Sequence, residues 1–289
     1  MLGRPLFMRL ALVLLALCTS CGRASFSETT VPVGSLSLHI RCRGEGKPLV
    51  VLDAGLGNDA SVWSAVQAEV APTTRVCAYD RAGLGASGPA PRPHSNAMMS
   101  EELMVLLRTA ELPGPYVLVG HSMGGINVRL LGEAHPEAVA GMVLVDSMSE
   151  SQPTQYWALI PDEDMARLRA SIGQLPEGTD FETLSHGLAE VARARNLGAK
   201  PLVVLTRDVE DAPPGTRPET VTQLRAAWQR IQLELPNLSK NSAHVVVMGA
   251  HHMIHIERPA VVAAAIREVV GAVREHRSVS DAAVLAVAR

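Results

Sequence analysis

A chain of 289 residues, 47% of them hydrophobic, carries enough apolar material for one large domain or two small ones, although only 3% are aromatic. A net charge of −3 with no sustained basic patch gives no electrostatic footprint for nucleic acid. No heptad pattern, internal repeat or low-complexity tract appears, so coiled-coil, solenoid and disordered classes drop out.

The chain opens with Arg4 and Arg9, then an apolar run over residues 10–17, then small residues and Cys21. A charged start, a short apolar stretch and a small-residue exit describe a signal peptide, and the run is too short to span a bilayer comfortably. Residues 1–24 are therefore read as a signal peptide or lipoprotein leader with a short linker, and the polar stretch at 25–30 argues against a buried N-terminal helix. Cys18-Thr19-Ser20-Cys21 resembles a bacterial lipoprotein box but has Cys18 where leucine is usual, so lipid attachment at Cys21 is left open. The expected location is outside the cytoplasm: periplasmic, secreted or lipid-anchored to the envelope. Only Cys42 and Cys77 remain beyond the leader, in a compartment that permits disulfides.

From there, strand-like and helix-like segments alternate. Strands are expected at 36–43, 49–52, 75–79, 116–119, 142–145, 202–205 and 245–248. Helices are expected at 60–70, 100–110, 126–134, 219–233 and 259–276. The strands read as continuous Val/Leu runs, not as alternating ones, which implies burial on both faces and hence a mostly parallel sheet with helices on each side. The fold class is α/β, doubly wound, with a core at 31–146 and 201–276. Residues 147–200 break the rhythm: they are more polar, contain helical stretches at 162–172 and 180–194, and offer no strand. They are read as a helical cap over the ends of the sheet, and 277–289 as a loose tail.

Chemistry-bearing residues gather where strands end, as open α/β sheets require. After 49–52 comes Asp53-Ala54-Gly55-Leu56-Gly57-Asn58, whose small residues let backbone amides approach a substrate oxygen. After 75–79 comes Asp80-Arg81-Ala82-Gly83-Leu84-Gly85-Ala86-Ser87, with Asp80 and Arg81 read as braces for the floor of a site. After 116–119 comes Gly120-His121-Ser122-Met123-Gly124-Gly125, leading directly into a helix. Strand, sharp turn and helix form a nucleophile elbow: it lifts the Ser122 hydroxyl into the open and frees the Met123 amide to donate to an oxyanion, with the Leu56 amide as second donor. Gly120 and Gly124 flank the turn because a side chain there would collide with its neighbours. A base is needed late in the chain, where His251, His252 and His255 crowd together; imidazole suits because it exchanges protons near neutral pH. His121 is expected to point elsewhere. Three histidines invite a metal, but no cysteine or acidic ligand lies at compatible spacing, and neither metal nor cofactor is expected.

In this order the landmarks resemble those of α/β-hydrolase fold proteins over about residues 36–273. The matching segments are Leu52 to Gly57, Tyr79 to Ser87, Gly120 to Gly125, Val143-Leu144-Val145-Asp146, and His252-Met253-Ile254-His255. The resemblance implies His252 as general base, with His251 standing where the family has glycine. In the oxyanion loop Ala54-Gly55 replaces the common His-Gly. The family usually places its acid after the strand at 202–205, where Asp208, Glu210 and Asp211 stand without the usual Gly-x-x-Asp spacing. Some members use the end of the preceding strand, so Asp146 is favoured and Asp208 is the alternative. Family members also begin with a hairpin whose second strand lies beside the one bearing Tyr79. That brings Cys42 near Cys77, and a disulfide and two separate buried thiols both remain open.

The expected reaction is hydrolysis of a carboxylic ester in a small or medium substrate through an acyl-enzyme on Ser122. Aspartate would stand at that position in resembling dehalogenases and epoxide hydrolases. Lactonase, thioesterase, amidase and cofactor-free haloperoxidase chemistry fit the same residues, and a non-catalytic ligand-binding surface protein is the alternative from another class. Tyr156, Trp157, Leu159, Ile160, Met165 and Phe181 in the cap suggest an apolar pocket, although helix packing would use most of them.

Overall fold

A computed structural model describes residues 25–193, 197–212 and 216–288; the leader and Cys21 lie outside the described residues. Eight strands form one sheet: β1 (Phe26–Val33), β2 (Leu36–Arg43), β3 (Leu49–Asp53), β4 (Val76–Asp80), β5 (Tyr116–His121), β6 (Val139–Val145), β7 (Leu202–Arg207) and β8 (Ser242–Val247). Their spatial order is β1-β2-β4-β3-β5-β6-β7-β8. β2 is antiparallel to both β1 and β4, and the remaining pairs are parallel.

The unbroken apolar runs have the expected cause. Along β3 and β5, Val50, Leu52, Val117 and Val119 enter the core on one face, while Leu49, Val51, Tyr116 and Leu118 enter the core on the other. Period-two alternation therefore sends side chains to two covered faces, and neither face selects polar residues. Helix α1 (Ser64–Val70) and the long helix α9 (Pro259–Glu275) cover the first face. Helices α2 (Asn96–Thr109) and α3 (Gly124–Ala134) cover the second. The chain turns from one direction of sheet growth to the other at β3, which lies between β4 and β5. The crevice beyond the carboxyl ends of strands at such a switch point is where open α/β sheets bind ligands.

Between β6 and β7, in the interval read from the sequence as a cap, sit α4 (Gln152–Gln155), α5 (Asp162–Gly173) and α6 (Phe181–Val191). Asp180 caps α6 by accepting from the Thr183 amide, and Leu184, Leu188 and Val191 make its buried stripe. With Trp157 and Ile172 they pack on Met99, Met123 and Ile126 of the core. Burying a leucine of this kind stabilises by roughly 1.5–3 kcal/mol, so the cap is held by its own apolar seam. Beyond it, α7 (Pro218–Gln232) follows β7, and α8 (Ile254–Glu257) follows β8.

Two segments depart from the sequence reading. Residues 26–30, left outside the core in the sequence reading, belong to β1, which pairs with β2 along its whole length through a tight turn at Gly34 (φ +59°). Its polar, exposed residues hide a strand because it is the edge of the sheet. The tail at 277–289 carries helix α10 (Ala282–Ala288), whose Val284 and Ala288 are buried in the first core beside the opposite edge, β8. A helix laid along an exposed strand protects its unpaired backbone. Cys42 and Cys77 face each other across β2 and β4 and form a disulfide. Among the described residues no helix is long and apolar enough to cross a membrane.

Candidate active site

Ser122 occupies the two-residue break between β5 and α3, with φ at +52°. A left-handed backbone at a non-glycine residue costs on the order of 1–3 kcal/mol and persists only where its surroundings fix it. They do: Ser122 N donates to Val145 O at 3.2 Å, and Ser122 O accepts from Gly125 N at 3.0 Å and Met148 N at 3.1 Å. The strain falls on the serine; the flanking glycines serve close approach. A Cβ on Gly120 would lie 2.6 Å from Gly124 O and Gly125 Cα, and one on Gly124 would lie 2.5 Å from Asp53 O. Ser122 is only 9% exposed, and what remains opens into a cavity of about 640 Å³.

The late histidines separate clearly. His252 Nδ1 donates to Asp146 Oδ2 at 2.6 Å, and His252 lines the same cavity as Ser122. The His251 ring is turned to Glu257 at 3.4 Å, and His255 is fully buried. Asp146, at the end of β6 with φ +43°, is fully buried and accepts three further hydrogen bonds. Trp228 Nε1 (2.7 Å) and the Arg207 amide (3.0 Å) donate to Oδ1, and Arg207 Nη1 (2.8 Å) donates to Oδ2. Burial alone would raise this carboxyl; the Arg207 guanidinium and the His252 bond outweigh it and bring the pKa down to about 2. Asp208 is taken elsewhere: its carboxylate pairs with Arg225 and accepts from the Gly249 amide. Glu210 binds Arg207 and Tyr156, and Asp211 accepts from the His252 amide, not from its ring. The geometry thus brings Asp146 to the imidazole and keeps Asp208 from it.

His121, expected to point away, lies beneath the site. Its Nε2 donates to the His252 carbonyl at 3.0 Å, and its ring sits 4.6 Å from that of His252 and 4.3 Å from that of His255. His255 also stacks on Trp63 at 4.4 Å, and neither of its ring nitrogens finds a hydrogen-bond partner. Burial, with His252 nearby, pushes His255 down to about 3, and burial likewise pushes His121 well below the usual imidazole range. Both rings are therefore neutral, apolar backing for the loop that carries His252. No spacing rule announces this, since residues 63, 121 and 255 meet only in the folded chain. Among the described residues no group of three His, Cys, Asp or Glu side chains is arranged to hold a metal ion.

The two amides expected to serve an oxyanion belong to the loops after β3 and β5. Met123 immediately precedes α3, and Leu56 lines the cavity. Among the described residues, neither amide donates in any turn or cap hydrogen bond. Asp80 and Arg81 are the braces expected of them. Asp80 accepts from the amides of Ala60 (2.7 Å) and Ala86 (2.9 Å). Arg81 reaches under the Ala54–Gly55 loop to Asp53 and to Glu177, a cap residue that the sequence did not single out.

Tyr156, Trp157 and Ile160 of the cap line the cavity, with Met148, Leu168, Ile172 and Leu224, so its walls are largely apolar. Met165 and Phe181 pack instead against the seam between cap and core. An apolar chamber lined by a serine, an imidazole and Leu56 can bind an uncharged carbon skeleton and polarise a carbonyl group.

The chain is similar to the uncharacterised protein YqjL of Bacillus subtilis (strain 168), at 28% identity over 249 residues, which is 86% of this chain and 93% of that protein. In structure it is similar to a haloalkane dehalogenase loop variant, DbeA-M1, from Bradyrhizobium elkanii (TM-score 0.64, 14% identity, 87% of this chain and 98% of that one). It is also similar to a thermophilic esterase from Thermogutta terrifontis (TM-score 0.58, 20% identity, 86% and 99%). At such identities these structures share the fold, and their differing chemistries show that the fold does not choose the reaction. A family model described as the alpha/beta hydrolase fold matches residues 47–230, well over half of the chain. By its eight-stranded sheet, its elbow and this match, the chain belongs to the α/β-hydrolase fold family and is an enzyme of that family.

Proposed function

We propose that this enzyme hydrolyses carboxylic esters through an acyl-enzyme on Ser122. One observation carries the reading: a buried carboxylate and an imidazole, Asp146 and His252, pair at 2.6 Å on the wall of the cavity that also holds a serine at a sharp elbow. Ser122 Oγ attacks the ester carbonyl carbon while the free nitrogen of His252 takes its proton. Asp146 holds the Nδ1–H tautomer and stabilises the imidazolium that forms. The amides of Leu56 and Met123 donate to the oxyanion. Collapse expels the alkoxide, which receives the proton from His252; water then attacks the acyl-enzyme by the same steps and releases the acid. A serine at the elbow is at odds with dehalogenase chemistry on this fold, and the apolar walls suit a small or medium acyl or alcohol group.

Purified mature protein is expected to release p-nitrophenol from short acyl esters and to be labelled by a fluorophosphonate on Ser122. Ser122→Ala should lower kcat by at least about 10⁴-fold with an unchanged circular dichroism spectrum. Equal turnover in the variant would sink the assignment.

We further propose that the protein acts outside the cytoplasm. Arg4, Arg9 and the apolar run before Cys21 support export, and the Cys42–Cys77 disulfide fits an oxidising compartment. Fractionation of expressing cells tests this; a full-length, uncleaved chain confined to the cytosol would refute it. Metabolic labelling with a fatty acid, compared between wild type and Cys21→Ala, decides lipidation.

A further inference from the structure

We propose that Glu177, a residue of the cap, is a positioning residue for the oxyanion hole, holding the loop that bears the Leu56 donor through Arg81 and through the Gly57 amide. The inference rests on the serine-hydrolase reading above and adds a part to its machinery.

Arg81 has five N–H donors, and all five are engaged. Nε and one Nη2 hydrogen go to Glu177 Oε2 (3.0 and 2.8 Å), and the other Nη2 hydrogen goes to Gly55 O (2.6 Å). Nη1 donates to Asp53 Oδ1 and Ala54 O, each at 2.7 Å. A planar guanidinium so saturated has one orientation. Its grip on Gly55 O fixes the Gly55–Leu56 peptide plane. In a trans peptide the N–H points opposite to the C=O, so drawing Gly55 O toward the buried guanidinium turns the Leu56 N–H to the other side. There Leu56 lines the cavity beside Ser122. The other oxygen of the same carboxylate, Glu177 Oε1, accepts from Gly57 N at 2.7 Å, so Glu177 holds the loop on both sides of Leu56.

Glu177 is itself immobilised. Its carbonyl accepts from His94 Nδ1 at 2.8 Å, the Gly178 carbonyl accepts from the His94 amide at 3.1 Å, and Leu175 O accepts from Arg92 Nη2 at 2.7 Å. Backbone contact is equally close: a Cβ on Gly83 would lie 2.2 Å from Pro176 O. The strap at 175–178 is thus docked on the segment after β4, and its buried carboxylate reaches the oxyanion loop from below. The cap, expected only to choose the substrate, also shapes the site that stabilises charge in the transition state. A donor displaced by a fraction of an ångström loses much of its value, because it acts only on the oxyanion, not on the bound ester.

The test uses the full mature chain with Glu177→Ala, Glu177→Gln and Arg81→Lys. kcat and KM are measured on p-nitrophenyl butyrate and normalised to active sites titrated with a fluorophosphonate. The affinity of an alkyl trifluoromethyl ketone, whose hemiketal oxygen would occupy the oxyanion hole, is measured alongside. Glu177→Ala is expected to lower kcat by about tenfold to a hundredfold and to weaken the ketone by a similar factor, with KM changed less than about twofold. Glu177→Gln, which keeps an oxygen for Gly57 N, should recover part of the loss; it also carries the test if the alanine variant does not fold, with a drop in kcat of at least about threefold expected. A normalised kcat and ketone affinity within about twofold of wild type, whatever the melting temperature, would mean that Glu177 only holds the cap down and would overturn the inference. Wild-type protein that neither turns over the ester nor takes up the fluorophosphonate would overturn the serine-hydrolase reading, and this inference with it.

Discussion

Two buried arginines stand near the candidate site, each clasped between an aspartate and a glutamate. On one side Arg81 lies between Asp53 and Glu177; on the other Arg207 lies between Asp146 and Glu210. The composition is the same, yet the two clusters do different work. Asp53 spends its remaining capacity on Tyr79 (2.8 Å) and Asn127 (3.1 Å), and its deep burial raises its pKa despite Arg81. Asp146 offers Oδ2 to the His252 ring as well as to Arg207, which helps to hold it ionised. A buried ion pair is costly unless every lone pair is satisfied, so what fills the last lone pair decides its role. Amide and phenol donors make a scaffold. In the proposed reaction, an imidazole makes a working carboxylate.

The sharpest way to break this comparison is the same substitution on both sides. Asp146→Asn should lower kcat by about 10³–10⁴-fold with the fold intact, because the imidazole loses the partner that fixes its tautomer. Asp53→Asn should leave kcat within about tenfold and register chiefly as a lower urea midpoint. Equal kinetic losses would erase the distinction.

Removing the cation comes next. Arg207→Met strands Asp146 and Glu210 without their shared partner and should cost about 3–5 kcal/mol in urea unfolding. A cost below about 1 kcal/mol would mean that Trp228 and backbone amides suffice. Away from both clusters, Cys42→Ser combined with Cys77→Ser should cost about 2–4 kcal/mol by releasing loop closure in the unfolded chain, with kcat unchanged in the protein that remains folded. A matching fall in kcat would tie the antiparallel edge to the site.

The last effect builds only in acid and concerns the two neutral rings of His121 and His255. His255 has its folded-state pKa depressed from 6.5 to about 3, and His121 is shifted in the same direction. The unfolded chain therefore takes up protons that the folded one refuses. Stability is whole above pH 6.5 and falls as pH drops through the window toward 3, by up to about 1.4 kcal/mol per unit for His255, with His121 acting in the same direction. Asp146, lowered from 3.8 to about 2, adds its own loss only below 3.8. Urea midpoints measured across this range should show the slope, and His255→Phe should flatten it. An unchanged slope in that variant would relocate the acid sensitivity.

Much of this was legible in the residues. Runs such as Val117-Leu118-Val119 announce strands covered on both faces, and Gly120 to Gly125 announces the elbow, because both are local demands on a few consecutive residues. The choice between Asp146 and Asp208 was not legible: both follow strand-like runs, and only the fold shows Asp208 held by Arg225 and the Gly249 amide. β1 escaped notice because an edge strand tolerates polar residues along its length, and α10 because a short terminal helix owes its stability to the surface it covers.

By itself, then, the amino-acid order determined what short-range sterics and apolar burial control: the parallel sheet, the inserted cap, the serine at its bend and the histidine loop that faces it. Tertiary structure alone decided how the buried charges share partners, since Arg81 meets Glu177 across 96 positions and His252 meets Asp146 across 106. Those pairings arise because a charge shut away from water must find its counterpart wherever the packed chain brings one within reach.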